Sequence, residues 1–291
     1  MQIPMKEVEI FEVGPRDGLQ NEPTFIETEK KIKLVEMLQD AGCRKIEVTS
    51  FVHPKWVPQM ADSIQVLEGI TNRPGIVYSA LIPNMKGMQR AVEAGLDEVV
   101  TIMSASESHN TKNLNMSVER SLEEVRNINE EARKHGMRVR SYIGTAYGCP
   151  MEGAVPVSEV ARIAKALEDA GSYEISLGDT TGMAYPQLAF EVASAVLDVL
   201  TTARTAVHFH RARGIECANV LASLQAGVTV IDSAAGGLGG CPYAPGATGN
   251  MATELLVDML HRMGIATGID LGRMEQAAQF AKQLVSQNEK E

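Results

Sequence analysis

The sequence predicts a single eight-stranded β/α barrel, a TIM barrel, with an extra C-terminal helix. Short β-branched or apolar runs recur eight times, and the stretches between them carry apolar residues at the helical spacing of three and four. Strict alternation of strand and helix implies parallel strands joined by right-handed crossovers, and the commonest closed arrangement of such units is the TIM barrel. The 291 residues suit one barrel, which takes about 250 residues. We therefore expect residues 1–291 to form one catalytic domain.

The eight predicted strands come at regular intervals along the chain. They occupy residues 8–13, 45–50, 76–82, 98–104, 138–144, 173–179, 206–210 and 228–234. The predicted helices lie at 27–41, 57–70, 85–94, 117–135, 157–170, 186–202, 214–226 and 249–263, with the extra helix near 270–288. Four of these helices end in Ala-Gly just before the next strand, and glycine favours the left-handed conformation of a helix end. A doubly wound open sheet is the structural alternative, but no GxGxxG follows the first strand.

Composition and charge exclude several classes of protein. Hydrophobic residues make up 44% and charged residues 22%, and no apolar run approaches the roughly 18 residues that span a bilayer. The formal charge of −10 argues against nucleic acid or an anionic membrane as partner. The first residues show neither a secretory signal nor a transit peptide, so a cytoplasmic location is expected. The four cysteines are far apart and are expected to be reduced thiols: Cys43, Cys149, Cys217 and Cys241.

Polar residues cluster where the predicted strands end. In a β/α barrel, side chains at the carboxyl ends of the strands line the active site. The residues at these positions are Arg16, Asp17 and Gln20 after strand one, Glu47 and Ser50 on strand two, Asp179 and Thr180 at the end of strand six, and His208 and His210 at the end of strand seven. A glycine-rich segment containing Cys241 follows strand eight, and Asn250 lies at the predicted start of the next helix.

Two histidines are candidate metal ligands. Because His208 and His210 are two residues apart on a strand, both can face the barrel mouth. A lone His-x-His pair also occurs in cores and on surfaces without metal, so the hypothesis depends on Asp17 and Asn250, which barrel closure brings near. Two nitrogens with hard oxygens suit Mg²⁺ or Mn²⁺, and Zn²⁺ less well without a thiolate.

Four other residues each have a functional and a structural interpretation. Arg16 either pairs with Asp17 or stabilises negative charge growing on an oxygen of an enolate. Glu47 lies in an apolar run, where a carboxylate is costly unless paired, and Arg16 is a suitable partner. Asp179 is also a carboxylate at the end of an apolar run and would need a partner, although it or Thr180 could instead cap a helix. Cys241 either moves with its loop to close over a substrate or is an inert exposed thiol.

Four segments in order resemble the 3-hydroxy-3-methylglutaryl-CoA lyases. They are residues 13–23 (VGPRDGLQNEP), 47–58 (EVTSFVHPKWVP), 176–180 (SLGDT) and 237–243 (GLGGCPY). The resemblance extends from about residue 7 to about residue 270. Members of this family are metal-dependent β/α barrels that make or break carbon–carbon bonds beside a carbonyl, in agreement with the predicted fold.

The resemblance implies cleavage of a tertiary 3-hydroxyacyl-CoA into acetyl-CoA and acetoacetate, with Mg²⁺ or Mn²⁺ as cofactor. The implied metal ligands are Asp17, His208, His210 and Asn250. Arg16 would hold the thioester oxygen, Glu47 would orient Arg16, and Cys241 would help protonate the acetyl-CoA carbanion. Either Asp179 or His208 would be the base that removes the hydroxyl proton. The residues expected to line the acyl-CoA pocket are Gln20, Ser50, Tyr142 and Thr180.

The chain departs from the family pattern after the two histidines. Arg211-Ala-Arg-Gly214 replaces the usual Asp-Thr before the glycine. The arginines either meet a substrate carboxylate or phosphate or point into solvent. Three alternatives therefore stay open: a lyase for a citramalyl-CoA or isohexenylglutaryl-CoA, a condensing synthase or pyruvate aldolase, and a non-catalytic metal-binding protein. A homodimer is also compatible with the sequence.

Overall fold

Eight parallel strands close into a barrel in chain order, and the last strand pairs with the first. The computed structural model describes residues 3, 5–212, 214–239 and 249–286. The strands are β1 (Glu9–Glu12), β2 (Lys45–Ser50), β3 (Val77–Leu81), β4 (Glu98–Ser104), β5 (Arg138–Gly144), β6 (Glu174–Asp179), β7 (Arg204–Phe209) and β8 (Val230–Ser233). The predicted TIM barrel is confirmed.

Helices surround the barrel. They are α1 (Thr28–Asp40), α2 (Ser63–Gly69), α3 (Met85–Glu93), α4 (Glu107–Leu114), α5 (Val118–Lys134), α6 (Val157–Ala170), α7 (Pro186–Val199), α8 (Glu216–Ala226), α9 (Thr253–Arg262) and α10 (Leu271–Ser286). The extra C-terminal helix is α10, which packs against α1 and α9. No helix in the described part of the chain is both long and apolar enough to cross a membrane.

The glycines predicted to end helices adopt the expected conformation. Gly171 after α6 and Gly227 after α8 have φ angles of 113° and 114°. A side chain at either position would be strained, because L-residues rarely adopt positive φ. These glycines turn the chain from each helix back toward the next strand.

The prediction of one helix over residues 57–70 is wrong for the first half of that range. Pro58–Met60 forms a separate 3₁₀ turn, and α2 begins only at Ser63. The reason is the buried side chain of Gln59, which accepts a hydrogen bond from the Ile26 amide and donates one to the Glu22 carbonyl. These contacts to the loop after β1 hold the turn apart from the helix.

The sequence did not predict α4. Its segment contains a single apolar residue, Leu114, so hydrophobic periodicity cannot reveal it. The available signals are at its ends: the Ser106 hydroxyl accepts from the His109 amide, and Asn115 is left-handed at φ 55°.

The helix predicted from residue 249 begins later, at Thr253. Asn250 and Ala252 form isolated β-bridges instead, Asn250 with His210 and Ala252 with Ala234. The backbone therefore ties Asn250 to the end of β7, beside the second histidine.

Charged side chains occupy the interior of the barrel. Arg140 is fully buried, and its guanidinium donates to Glu174 Oε1 at 2.6 Å and to Asp232 Oδ1 at 2.5 Å. Lys45 Nζ lies 3.0 Å from the same Glu174 oxygen. Bulky branched apolar residues fill most TIM barrels. Here Lys45, Glu174, Arg140 and Asp232 form a buried ion-pair network, and each of these four charges has a partner of opposite sign.

Glu168 on α6 fixes the turn before β7. Its buried carboxylate accepts from the amides of Thr201, Thr202 and Ala203 at 2.7–2.9 Å and pairs with Lys165 at 2.7 Å. Burial alone would raise the pKa of this carboxyl, but these donors hold the pKa well below its usual range. The ionised side chain therefore stabilises the folded state.

Replacing Glu168 with alanine is expected to lower the free energy of unfolding at pH 7 by about 2 kcal/mol, because three backbone amides lose a charged acceptor. The folded-state pKa is depressed, so this stabilisation is present above the ordinary value of 4.5 and is lost as the pH falls below it. Urea denaturation of wild type and variant at neutral and acidic pH measures the difference. A gap that does not narrow in acid would contradict this account. The control is Glu123→Ala, which removes an exposed ion pair with Arg120.

Candidate metal centre and active site

A tight turn after β1 presents two charged residues to the barrel mouth. Gly14–Gly18 forms a single wide helical turn in which the amides of Arg16, Asp17 and Gly18 all donate to the Val13 carbonyl. The Val13 amide in turn donates to the Ser233 carbonyl on β8. The turn is thus anchored to the neighbouring strand, and its side chains are held in place.

The Arg16 guanidinium is held between two carboxylates. Nε lies 2.7 Å and Nη2 2.6 Å from Glu47 Oε2, and Nη1 lies 2.6 Å from Asp17 Oδ1. Burial lowers the pKa of Arg16, but the two carboxylates raise it above its ordinary value, so the group stays charged. Both contacts considered from the sequence are therefore present: Arg16 pairs with Asp17, and it also satisfies buried Glu47. Two of its N–H bonds are not used by these carboxylates.

The two histidines and Asp17 converge. One potential ligand atom from each of Asp17, His208 and His210 lies within 4.8 Å of the other two. His210 Nδ1 lies 2.9 Å from the Asp179 carbonyl oxygen, to which it donates, and this leaves the lone pair on Nε2. Burial and the nearby His208 lower the pKa of His210 to about 4, so this ring is neutral at pH 7. A neutral imidazole can act as a metal ligand.

Asn250 completes the group. Its Nδ2 donates to Asp17 Oδ2 and to the Leu238 carbonyl, both at 2.8 Å. Its Oδ1 is buried and has no hydrogen-bond partner in the described structure. Burial would raise the pKa of Asp17, but Arg16 and the histidines lower it to about 2. An ionised carboxylate, two imidazoles and an amide oxygen that lacks a partner fit a divalent cation.

The chain is similar to known proteins along almost its whole length. The HMGL-like family profile matches residues 7–281. The chain belongs to the HMGL-like family. It is 50% identical over 281 residues to the mitochondrial hydroxymethylglutaryl-CoA lyase of Rattus norvegicus, covering 97% of this chain and 86% of the relative.

Solved structures show the same relationship for this HMGL-like chain. The HMG-CoA lyase of Bacillus subtilis superimposes with a TM-score of 0.95 at 46% identity, covering 98% of this chain and 96% of that one. An HMG-CoA lyase from A. baumannii, solved with coenzyme A and 3-methylmalate, gives a TM-score of 0.92 at 40% identity, with coverages of 98% and 93%. The similarity is therefore present in both sequence and fold.

Asp179 does not cap a helix, so that interpretation is wrong. Its Oδ1 accepts from the Met183 amide at 2.8 Å and the Ala184 amide at 3.2 Å, which closes the loop after β6, whereas α7 begins only at Pro186. Oδ2 is buried and has no partner in the described structure. Burial raises the pKa of this carboxyl to about 6, despite the two amide donors. Asp179 thus has one oxygen engaged by its loop and one available.

Two of the predicted pocket residues, Gln20 and Tyr142, contact residues of the candidate metal site. Gln20 Nε2 donates to Asp17 Oδ1 at 2.8 Å. The Tyr142 ring meets His208 edge-on at 5.7 Å between centroids, and its buried hydroxyl has no partner among the described residues. The Thr180 hydroxyl accepts from the Thr145 amide at 2.8 Å.

Ser50 is turned to its own loop. It is fully buried, and its hydroxyl accepts from the Val52 amide at 3.1 Å. A role in substrate binding stays a prediction for Ser50, as it does for the other pocket residues.

Two of the predicted residues lie outside the described chain. They are Cys241 and Arg213, so their roles also stay predictions. Arg211 is described and half-buried. Its amide donates to the Gly249 carbonyl at 2.7 Å, and a Cβ added to Gly237 would lie only 3.2 Å from its guanidinium carbon. Arg211 therefore packs against the backbone of Gly237.

Two buried residues of the site were missed by the sequence analysis. Asp232 Oδ2 lies 3.3 Å from His208 Nδ1, and Asp232 is held in turn by Arg140. Both residues were assigned to strands without a role. The signal that identified Glu47, a charge inside an apolar strand, was also present for Asp232 in residues 228–234 (VTVIDSA), but not for Arg140, whose strand has other polar residues.

Proposed function

We propose that this chain cleaves 3-hydroxy-3-methylglutaryl-CoA into acetyl-CoA and acetoacetate, with Mg²⁺ or Mn²⁺ as its cofactor. The observation that carries the proposal is similarity along almost the whole chain to hydroxymethylglutaryl-CoA lyases, at 50% identity for the rat enzyme. The Asp17, His208 and His210 group at the barrel mouth supports it independently. The cytoplasmic location, the single-domain organisation and a homodimer stay predictions from the sequence.

The reaction is a retro-Claisen cleavage. The 3-hydroxyl loses its proton and becomes the ketone of acetoacetate, while the electron pair of the broken C2–C3 bond passes into the enolate of acetyl-CoA. That enolate is then protonated at carbon. A divalent cation bound by Asp17, His208, His210 and Asn250 supplies Lewis acidity that makes the hydroxyl proton easier to remove.

Arg16 binds the thioester oxygen in this proposal. Two of its N–H bonds remain available beyond those given to Glu47 and Asp17. Because both carboxylates hold the guanidinium, little reorganisation is needed when negative charge develops on that oxygen. Glu47 and Asp17 therefore act on the substrate through Arg16.

Asp179 is the better candidate for the base that takes the hydroxyl proton. Its Oδ2 is a buried carboxylate oxygen with no partner in the described structure. His208, by contrast, has Nδ1 facing Asp232 and Nε2 facing Asp17 at 3.9 Å. Cys241 is proposed to protonate the enolate carbon, as the family resemblance implies.

A cleavage assay tests the proposal. Metal-stripped protein is incubated with 3-hydroxy-3-methylglutaryl-CoA, with and without added Mg²⁺ or Mn²⁺, and acetoacetate is measured. Metal-dependent release is expected. Faster cleavage of citramalyl-CoA or isohexenylglutaryl-CoA would overturn the substrate assignment, and condensation of acetyl-CoA with a keto acid without cleavage would overturn the reaction. Tight ion binding without any turnover would indicate a non-catalytic protein.

A further inference from the structure

Behind His208 lies a carboxylate sealed inside the barrel. Asp232 on β8 pairs in register with His208 on β7 and is 1% exposed. Its Oδ2 lies 3.3 Å from His208 Nδ1. Nδ1 has no other hydrogen-bond partner in the described structure. The Asp232 carboxylate is therefore the acceptor placed to accept a hydrogen bond from an Nδ1–H group.

Asp232 cannot easily turn away from the ring. Arg140 Nη2 donates to Oδ1 at 2.5 Å, and the Ser176 hydroxyl donates to Oδ2 at 3.0 Å. Arg140 is itself fixed, because its Nε donates to Glu174 at 2.6 Å and its guanidinium carbon lies 4.1 Å from the centroid of the Phe11 ring. Both carboxylate oxygens are therefore held by donors that reach across the barrel interior from β5 and β6.

We propose that Asp232 is a positioning residue that sets the tautomer of His208, and that Arg140 holds Asp232 for this task. An ionised carboxylate can only accept hydrogen bonds, so it keeps the neutral ring's proton on Nδ1. The lone pair then lies on Nε2, the nitrogen that faces Asp17. The expected effect of this tautomer on metal binding rests on the metal site of the proposed function, whereas the tautomer itself does not.

Asp232→Asn is the informative variant. An asparagine can satisfy Arg140 only with its carbonyl oxygen, because an amide NH₂ against the guanidinium would set donor against donor. Its NH₂ group then faces His208 Nδ1 and makes that nitrogen the acceptor. The ring proton moves to Nε2, where it blocks a metal ion. The size of the side chain is almost unchanged.

Nitrogen-15 NMR of the histidine rings in the metal-free protein tests the tautomer directly. It is recorded at a pH where His208 is neutral, with its signals identified by their loss in His208→Gln. Wild type is expected to carry the proton on Nδ1 and Asp232→Asn on Nε2. Wild type with the proton on Nε2 would overturn the inference, and this result does not depend on how well any variant folds.

Calorimetric titration with MnCl₂ tests the consequence for binding. Asp232→Asn is expected to weaken Mn²⁺ binding about 10- to 100-fold, the usual effect of losing a partner behind a metal ligand. The matched control is Ser176→Ala, which removes one donor to Asp232 but keeps the carboxylate, and it should retain the wild-type tautomer and nearly wild-type affinity. Folded Asp232→Asn with wild-type affinity would overturn the inference. Wild type that binds no Mn²⁺ or cleaves no substrate would instead count against the proposed function and leave the tautomer result intact.

Discussion

Replacing Arg16 with lysine is expected to lower kcat for 3-hydroxy-3-methylglutaryl-CoA cleavage by about 10²- to 10³-fold, the usual effect of removing one preorganised donor to a developing oxyanion. Lysine keeps the positive charge but cannot contact Glu47 and Asp17 and still present two directed N–H bonds. The loss should fall mainly on kcat, because the contact strengthens as the enolate forms. Steady-state kinetics at saturating metal measures it.

The matched control is Arg120→Lys, since Arg120 is exposed and pairs with nearby Glu123 on the surface of α5. This variant should keep wild-type kinetics. Thermal unfolding of both variants establishes that they are folded. Wild-type kcat in folded Arg16→Lys would remove Arg16 from the mechanism.

Replacing His210 with alanine is expected to weaken Mn²⁺ binding by at least about 100-fold, which is the upper end of the effect of losing even an indirect metal partner. The variant removes a neutral imidazole whose Nε2 has its lone pair free, because Nδ1 donates to the Asp179 carbonyl. Isothermal calorimetry with Mn²⁺ on metal-stripped protein measures the dissociation constant. Cleavage at low metal concentration should fall in parallel.

His135→Ala serves as its control. His135 is exposed at the end of α5 and contacts Glu131 at 3.2 Å, far along the chain from the metal group. Its substitution should leave ion affinity unchanged. If His210→Ala also bound Mn²⁺ as wild type does, the proposed ligand set would be wrong.

Repeated local patterns were enough to predict the barrel. Each strand is a short apolar run and most helices carry a clear apolar stripe, so the eight units could be recognised one at a time. The exceptions were segments fixed by polar contacts. The side chain of Gln59 separates a 3₁₀ turn from α2, and α4 has almost no apolar residues to form a stripe. Hydrophobic periodicity cannot predict a boundary set by hydrogen bonds or a helix that has almost no apolar residues.

The candidate site residues could be predicted where polar side chains lie at the carboxyl ends of strands. Asp17, His208 and His210 each follow or end a strand, and closure of the barrel brings their ligand atoms within 4.8 Å of one another. Glu47 was recognisable as a buried charge that needs a partner. Asp179 was identified as a candidate, but its contact with the loop before α7 could not be read from its neighbours in sequence.

The sequence by itself determined the eight strands, most of the helices, their order, and which polar side chains lie at the carboxyl ends of the strands. These are local properties of hydrophobic spacing and of position within a strand. The tertiary structure alone decided which charges pair inside the barrel. Arg140 meets Asp232 across 92 residues of chain, and Asp232 meets His208 because β7 and β8 align in a particular register. A shift of one residue would turn either side chain to the opposite face of the sheet, so these contacts exist only after the barrel has closed.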